Sequence, residues 1–597
     1  MGYLNMNLSE NEFKVLATLN GGSVASQRDL AAAAGVSLGT ANRSHRALAE
    51  AGLAAGFDLT EAGRAALEPY RVENAVIMAA GLSSRFAPIS YEKPKGLLKV
   101  RGEVLVERQI KQLQEAGVTD ITVVVGYKKE YFFYLEDAFG VSIVVNPEYA
   151  SRNNNSTLKV VEHLLGNTYV CSSDDYFTVN PFEPYVWKAY YAAEYAEGPT
   201  REWCLKTSAR TRDRIAGVTV GGSDAWYMIG HVYFDRAFSR RFVEILDAEY
   251  DLPQTAGKLW EELYLDHVKE LDMRVRRYEP GVIFEFDSLD EVRAFDPHFL
   301  ENLDSEVFDN ITRTLGCAKS EIHDVYPLKQ GLTNLSCHFR TSDGEYVYRH
   351  PGIGTENLVD RAAEVKAQEA ARDLGLDGTF IFEDPVRGWK VSRFIPRCRH
   401  LDPHDDAQLA RAMRTAARLH AADVSVERAF DFYAEGKRYE SILLARGSID
   451  VPGYHEMAAD ARRVKELADA DGAPACLTHN DFFHLNFLID EDDRLSLIDW
   501  EYAGMADYAS DFGTFTVCCE LTDEEARRAL AHYFGREPTP AEVRHNFAYV
   551  ALAGWCWYVW ALVKEAEGDF VGEWLYIYYN YAKRYLGEVL RLYEEAV

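Results

Sequence analysis

Two groups of residues in this chain have types and spacings able to do chemistry. The first lies in Thr478-His479-Asn480-Asp481-Phe482-Phe483-His484-Leu485-Asn486-Phe487, followed by Leu497-Ile498-Asp499-Trp500-Glu501. A carboxylate, an amide five residues on and a second carboxylate after a strand suit phosphoryl transfer. Asp481 would accept the proton of an attacking hydroxyl, and Asn486 and Asp499 would hold Mg²⁺ on ATP. Asn480 and His484 are expected to be structural, as hydrogen-bonded loop groups commonly are. Upstream, Gln330-Gly331-Leu332-Thr333-Asn334 reads as a turn covering a nucleotide, with Gly331, Thr333 and Asn334 as its contacts. It lacks the Gly-x-Gly-x-x-Gly of protein kinases, which argues against an ordinary protein kinase. Arg349, ending Tyr346-Val347-Tyr348-Arg349, stands where a phosphate-binding cation is expected, with Glu364 as its helix partner. The bland alternative is a surface ion pair.

The second group starts at Ala79-Ala80-Gly81-Leu82-Ser83-Ser84-Arg85-Phe86, with Lys93-Pro94-Lys95 shortly after. Small residues after a strand let the backbone close on a triphosphate, so Ala79, Ala80, Gly81 and Ser83 are nucleotide-binding candidates. Arg85 and Lys95 would neutralise charge as pyrophosphate leaves. Asp174 and Asp287, each at a strand end, give two hard oxygen donors suited to Mg²⁺, with Asp175 as a substitute for Asp174. Asp287 could instead cap the following helix. In Asn153-Asn154-Asn155-Ser156, amide edges at Asn154 and the hydroxyl of Ser156 could read a base. Aromatic residues beside carboxylates (Glu202-Trp203, Trp226-Tyr227, Trp260-Glu261-Glu262) suit a quaternary ammonium, with Trp203, Tyr227 and Trp260 as the contacts.

The Ala-Ala-Gly-x-x-x-Arg and Lys-Pro-Lys arrangement resembles the sugar-phosphate and phosphocholine nucleotidyltransferase family over residues 73–300. The resemblance implies that Asp174 and Asp287 bind the catalytic metal, and its cytidylyltransferase members imply CTP. The Asp481 to Asp499 string resembles the choline/ethanolamine kinase and aminoglycoside phosphotransferase family. That match implies Asp481 as base, Asn486 and Asp499 as metal ligands and His479 as support for the loop. Arg349 in place of Lys also resembles choline kinases. So does the C-terminal aromatic pattern, in which Trp557 and Trp560, then Tyr578 and Tyr581, would box a trimethylammonium, with Glu501 and Asp507 balancing its charge. An aromatic core stripe is the alternative there.

The elements that must position these residues follow from patterning. Residues 1–72 read as an all-α winged helix-turn-helix: a start at Ser9 with Glu12, helices over 27–34 and 37–51, a short wing at 53–59 and a last helix from Thr60 to Leu67. The second long helix carries Arg43, His45 and Arg46. Five basic against seven acidic residues over 1–70 is a poor footprint for phosphates, so docking or dimerisation is favoured over DNA binding. Residues 73–303 alternate strands (74–80, 121–125, 142–146) with helices (104–116, 130–139), the pattern of a doubly wound α/β nucleotidyltransferase domain. Residues 304–597 open with a linking helix, pass through strand-rich 322–350 and become helical, an α+β protein-kinase-like domain. The uncharged run of 17 residues from Phe547 to Val563 is at the lower edge of bilayer-spanning length. Its three tryptophans favour a buried helix.

Composition bounds the reading. The 597 residues carry 64 Lys and Arg against 94 Asp and Glu, a formal charge of −30. That surface argues against nucleic acid as the main partner. Nine cysteines without a CxxC pair indicate a reducing cytoplasm and no disulfide framework. The expectation is a bifunctional cytoplasmic enzyme, with no membrane insertion and a homodimer allowed. It would phosphorylate choline with ATP and join phosphocholine to CTP, giving CDP-choline and pyrophosphate with Mg²⁺. Ethanolamine or 2-aminoethylphosphonate is the alternative substrate. A ligand-sensing winged-helix transcription factor with decayed enzyme domains is the alternative from another class.

Overall fold

A computed structural model describes residues 8–22, 24–208, 211, 213–328, 334–351, 360–568 and 571–596. Gly331 and Thr333 lie outside the described residues; Asn334 begins a strand, Asn334–Thr341. The chain forms two compact units, Met1–Asp309 with Val325–Pro327 and Asn310–Asp324 with Leu328–Val597.

The first unit opens with helices Glu10–Asn20, Gln27–Ala33, Leu38–Glu50 and Glu61–Leu67 and a small hairpin, Ala54–Ala55 paired with Asp58–Leu59. Ser9 and Glu12 satisfy each other's backbone N–H groups in a capping box, which fixes where the first helix starts. This winged helix is seated on the domain that follows. The indole Nε1 of Trp187 donates to the carbonyl of Leu8 at 3.2 Å, the Tyr70 hydroxyl accepts from the N–H of Leu8 at 3.1 Å, and Tyr70 packs on Phe13. His45 is taken up internally. It bonds Gln27 and the carbonyl of Gly56 and stacks on Phe57, so of Arg43, His45 and Arg46 the two arginines are exposed and His45 is half-buried.

Seven strands form the sheet of the same unit, in the order Arg274–Arg277, Tyr190–Thr207, Ile215–Phe234, Thr168–Ser172, Asn74–Ala79, Ile121–Val125, Ser142–Val145. Asn74–Ala79 runs parallel to both its neighbours and all five residues of Ile121–Val125 are buried, as a strand covered on both faces requires. The long antiparallel pair 190–207 and 215–234 makes the sheet mixed rather than purely parallel. Helices lie at Leu105–Glu115 and Tyr134–Phe139, and separate cores cover the two faces of the sheet.

In the second unit, strands Asn334–Thr341, Gly344–Pro351, Lys390–Arg393 and Phe380–Glu383 lie side by side, all antiparallel. Helix Arg361–Asp373 belongs with them. The rest is mainly helical around one core. Its centre is helix Pro540–Glu567, started by a Thr539 and Glu542 capping box with Pro540 in the first turn and ended by Gly568 at φ 88°. Every residue from His545 to Val559 is buried, so the apolar run is a core helix. Among the described residues it alone is long and apolar enough to span a bilayer, and 89% of that stretch is buried inside the fold. All nine cysteines are free thiols.

Candidate active sites

The first site forms where strand Asn74–Ala79 ends. Ser83 turns the chain through a left-handed φ of 51° into the short 3-10 helix Ser84–Phe86. Gly126, after the adjacent strand, allows a close approach: a Cβ there would lie 2.7 Å from the Ala80 carbonyl oxygen. Two clefts border this loop. The larger, about 490 Å³, is lined by Ala80, Gly81, Asn153, Asn154, Ser172 and Gly257 among others. The smaller, about 200 Å³, is lined by Ser83, Arg85, Lys95, Asp174 and Asp287. Ala79 is buried in the core and holds the loop from beneath.

In the smaller cleft Lys95 pairs with Asp174 and lies over the Phe86 ring at 4.8 Å. Burial opposes charge on both partners, yet Asp174 raises the Lys95 ammonium and Lys95 lowers the Asp174 carboxyl, so both stay charged. Gly96 makes this possible, since a Cβ there would lie 2.7 Å from the Ser173 hydroxyl. Arg85 donates to Asp287 at 2.7 Å. The helix after Asp287 is capped by Ser288, which removes the capping alternative for Asp287. Behind the pair lie Asp175, the expected substitute for Asp174, and Glu285, which sequence reasoning left without a role. Asp175 is pushed well up by burial, Glu285 and Asp174, and Glu285 is pushed to about 7 by burial and Asp174. Glu194 accepts from the N–H groups of Gly281, Val282 and Ile283, fixing the segment that leads to Glu285 and Asp287.

The expected base readers are committed elsewhere. Asn154 accepts from the Trp260 N–H at 2.7 Å and donates to Glu261 at 3.2 Å. Ser156 is buried, donates to the Asn153 carbonyl and accepts from Asn146. The asparagine run is a latch onto residues 255–261, and any base contact falls to the backbone and the remaining amide N–H of Asn154. The aromatic trio also divides. Trp260 is 1% exposed and packs in the core against Tyr191, Phe234 and Phe242, so it is not an acceptor contact. Trp203, like Trp226, packs on that same core, whereas Tyr227 packs on the other face of the sheet. Tyr227 is raised to about 12 by burial and by Glu194, Glu202 and Glu285. Glu202 is raised by burial, Asp287 and Glu291. Tyr227 and Glu202 therefore share surroundings with the cleft carboxylates, and the two tryptophans do not.

The second site lies on the loop between strands Ala475–Thr478 and Phe487–Ile489. Asn486 Nδ2 donates to both Asp481 Oδ2 and the Asp481 carbonyl at 2.8 Å. Burial, with Asp499 and Asp511 nearby, pushes Asp481 up to about 7. Arg349 is no surface ion pair. It is buried at 2.7 Å from Glu364 and 2.9 Å from Glu383, with Asp499 3.9 Å away. Burial opposes the Glu364 charge, but Arg349 and Lys390 lower it to about 2.

Asp511, which sequence reasoning passed over, is the anchor of this loop. It accepts from the N–H groups of His479 at 3.0 Å and Asn480 at 2.6 Å and meets His420 Nε2 at 2.9 Å. Those contacts hold Asn480 at φ 66°, and the Asn480 side chain bonds Thr478, Ser510 and Tyr502. His479 meets the Ile498 carbonyl through Nε2, while its Nδ1 has no partner among the described residues. Burial lowers its pKa, and a neutral ring donating from Nε2 satisfies this geometry. His484 touches Cys519 Sγ.

Around Asp481 the aromatic residues named from the sequence divide. Glu501 is buried and raised to about 8 by burial, Asp499 and Glu364. Trp557 sets its ring edge-on to Trp560 at 6.1 Å and to Tyr502 at 5.8 Å. Tyr578 and Tyr502 both feel the charge of Asp481. Tyr502 directly follows Glu501, and that adjacency was the available signal for it. Tyr581 turns away: its hydroxyl donates to the Leu521 carbonyl at 2.9 Å and its ring stacks on Tyr585. Asp507 is bound to His545.

Three family profiles match: winged helix-turn-helix DNA-binding over residues 8–54, MobA-like NTP transferase domain over 75–186 and phosphotransferase enzyme family over 324–545. A choline-phosphate cytidylyltransferase of Streptococcus pneumoniae is 33% identical over 222 residues, covering 37% of this chain and 96% of that protein. A 2-aminoethylphosphonate cytidylyltransferase of Lancefieldella rimae is 34% identical over 227 residues, covering 37% of this chain and 92% of that protein. The crystal structure of choline kinase LicA from Streptococcus pneumoniae is 25% identical, covering 47% of this chain and 97% of that one with a TM-score of 0.41. Fold, sites and relatives define a transferase with two nucleotide-using domains behind a winged helix. Through its middle domain the chain belongs to the cytidylyltransferases of the NTP transferase family, joined to a domain of the phosphotransferase enzyme family.

Proposed function

We propose that the chain makes CDP-choline in two consecutive reactions in the cytoplasm, phosphorylating choline with ATP and then joining phosphocholine to CTP. The observation that carries this reading is the set of side chains near Asp481. Asp481, raised to about 7, lies near Tyr502, Tyr578 and buried Glu501, and Trp557 packs edge-on to Tyr502 at 5.8 Å, which suits a cationic alcohol whose hydroxyl must lose a proton. Asp481 takes that proton, Asn486 fixes the Asp481 carboxylate, and Glu364 and Glu383 fix Arg349 toward the phosphates. In the middle domain Lys95 and Arg85 face the triphosphate and balance the pyrophosphate that leaves. The attacking phosphate oxygen needs no base at neutral pH.

The donor sets at both sites are oxygen, as Mg²⁺ prefers: Asp174 and Asp287 in the smaller cleft, and Asn486 and Asp499 near Asp481. Mg²⁺ bound there supplies charge neutralisation on the nucleotide phosphates. The three domains are read as residues 1–72, 73–303 and 304–597.

A second reading has ethanolamine or 2-aminoethylphosphonate as substrate. It is favoured by the loss of Trp203 and Trp260 from the acceptor pocket, which leaves Tyr227 with carboxylates that a primary ammonium can hydrogen-bond. Mass-spectrometric product analysis with ATP, CTP, Mg²⁺ and equal choline, ethanolamine and 2-aminoethylphosphonate separates the two. Predominant CDP-choline supports the first reading; predominant CDP-ethanolamine or the cytidylylated phosphonate supports the second.

A further inference from the structure

We propose that a groove in the phosphotransferase unit, apart from its catalytic cleft, binds a nucleotide-sized molecule carrying two or more phosphates. The groove holds about 890 Å³, within the ~300–1,000 Å³ range of small-molecule sites. It lies between the end of strand Lys390–Arg393, helix Asp406–His420 and the turn joining strands Phe487–Ile489 and Leu495–Leu497. Arg349, Asp481, Asn486 and Asp499 are not in its lining.

Charge accounting gives the ligand class. Every cation lining the groove is an arginine. The carboxylates that line it already have partners: Asp490 and Asp492 pair with Arg494, Glu491 with Arg397, and Asp493 with Arg399 and Arg411. Arg393 and Arg414 have no ion pair among the described residues, and Arg418 has only the Leu374 carbonyl. Arg411, Arg414 and Arg418 fall at i, i+3 and i+7, so they share one helix face. On a chain of formal charge −30, three guanidinium groups without carboxylates facing one concavity leave a local excess that an anion can neutralise. Guanidinium forks match phosphate oxygens, and arginine is preferred over lysine where that match matters. Leu376, Phe394, Ile395 and Pro396 add an apolar wall for the organic part. Arg393 ends a strand of the antiparallel sheet and Arg414 lies on a helix of the helical part, so an occupant would bridge them.

The test is arginine modification by phenylglyoxal in the full-length protein, mapped by peptide mass spectrometry, with pyrophosphate, CTP or CDP added separately. Reading individual residues keeps this groove distinct from both catalytic sites. Slower labelling of Arg393, Arg414 and Arg418 together is expected. Protection by pyrophosphate means that the phosphates suffice; protection by CTP and CDP alone means that the nucleoside is also needed. Either supports the proposal. Arg414→Ala is expected to weaken protection of Arg393 about tenfold or more in ligand concentration. Arg414 is exposed and unpaired, so the fold should survive, with circular dichroism as the check. Unchanged labelling with all three anions, or protection of Arg393 that ignores Arg414→Ala, would overturn the proposal.

Discussion

In the proposed function Lys95 and Asp481 serve different chemistry in different folds, and single substitutions should separate them. Asp481→Asn removes the proton acceptor and is expected to cut ADP formation by about 10²–10⁴-fold, while pyrophosphate release from phosphocholine and CTP persists. Tyr227 and Glu202 should act on the acceptor alone. Glu202→Gln is expected to raise KM for the phosphorylated amino alcohol and leave KM for CTP unchanged, as steady-state kinetics with each substrate varied would reveal. A rise in both would move Glu202 to the nucleotide side. The order of Asp481, Asn486 and Asp499 along one short segment is itself the signal that proposes them, and the structure sets Asn486 Nδ2 2.8 Å from Asp481 Oδ2. Trp260 was misread because a tryptophan beside two glutamates looks the same in a sequence whether its ring meets a ligand or Tyr191 and Phe242. Only packing distinguishes the two.

At the scale of elements, the loop carrying Asp481 is held by a helix that starts more than twenty residues later. Asp511 lies in helix Ala509–Cys518 and holds two backbone N–H groups of the loop. Asp511→Ala should lower kcat by on the order of 10²-fold with a smaller change in KM, because it lets the base drift without touching substrate. Gly554 lets helices Pro540–Glu567 and Glu573–Glu595 approach closely, since a Cβ there would lie 2.9 Å from the Ala582 nitrogen. Gly554→Ala is expected to cost about 1–3 kcal/mol in thermal or denaturant unfolding. Helix and strand periods made most elements readable: the winged-helix boundaries, the helix at Leu105–Glu115 and the buried aromatic helix follow from patterning alone. Register and partner choice did not. Tyr578 and Tyr581 look equivalent by spacing, yet one lies near Asp481 and the other bonds Leu521.

Across the whole molecule, charge sets two expectations. Burial opposes a charge on His545, but Asp507 and Asp471 raise its pKa above the ordinary 6.5. Stabilisation from this group is therefore full below pH 6.5 and fades as pH rises through the folded value. Wild type minus His545→Gln stability, followed by thermal melts from about pH 6 to about pH 9, should fall with pH; a rise would reverse the sign. The winged helix has few basic residues, ties His45 to Gln27, Gly56 and Phe57 and sits on an acidic chain. A gel shift with duplex DNA at physiological salt is expected to show no retained complex, and a shift lost in Arg43→Ala would contradict that. In the proposed function two separate sites work in sequence. The most direct measurement follows phosphocholine and CDP-choline by mass spectrometry after incubation with choline, ATP, CTP and Mg²⁺, in wild type, Asp481→Asn and Lys95→Ala. Wild type should yield CDP-choline, Asp481→Asn should yield it only from added phosphocholine, and Lys95→Ala should accumulate phosphocholine. Loss of both reactions in either folded variant would contradict the account.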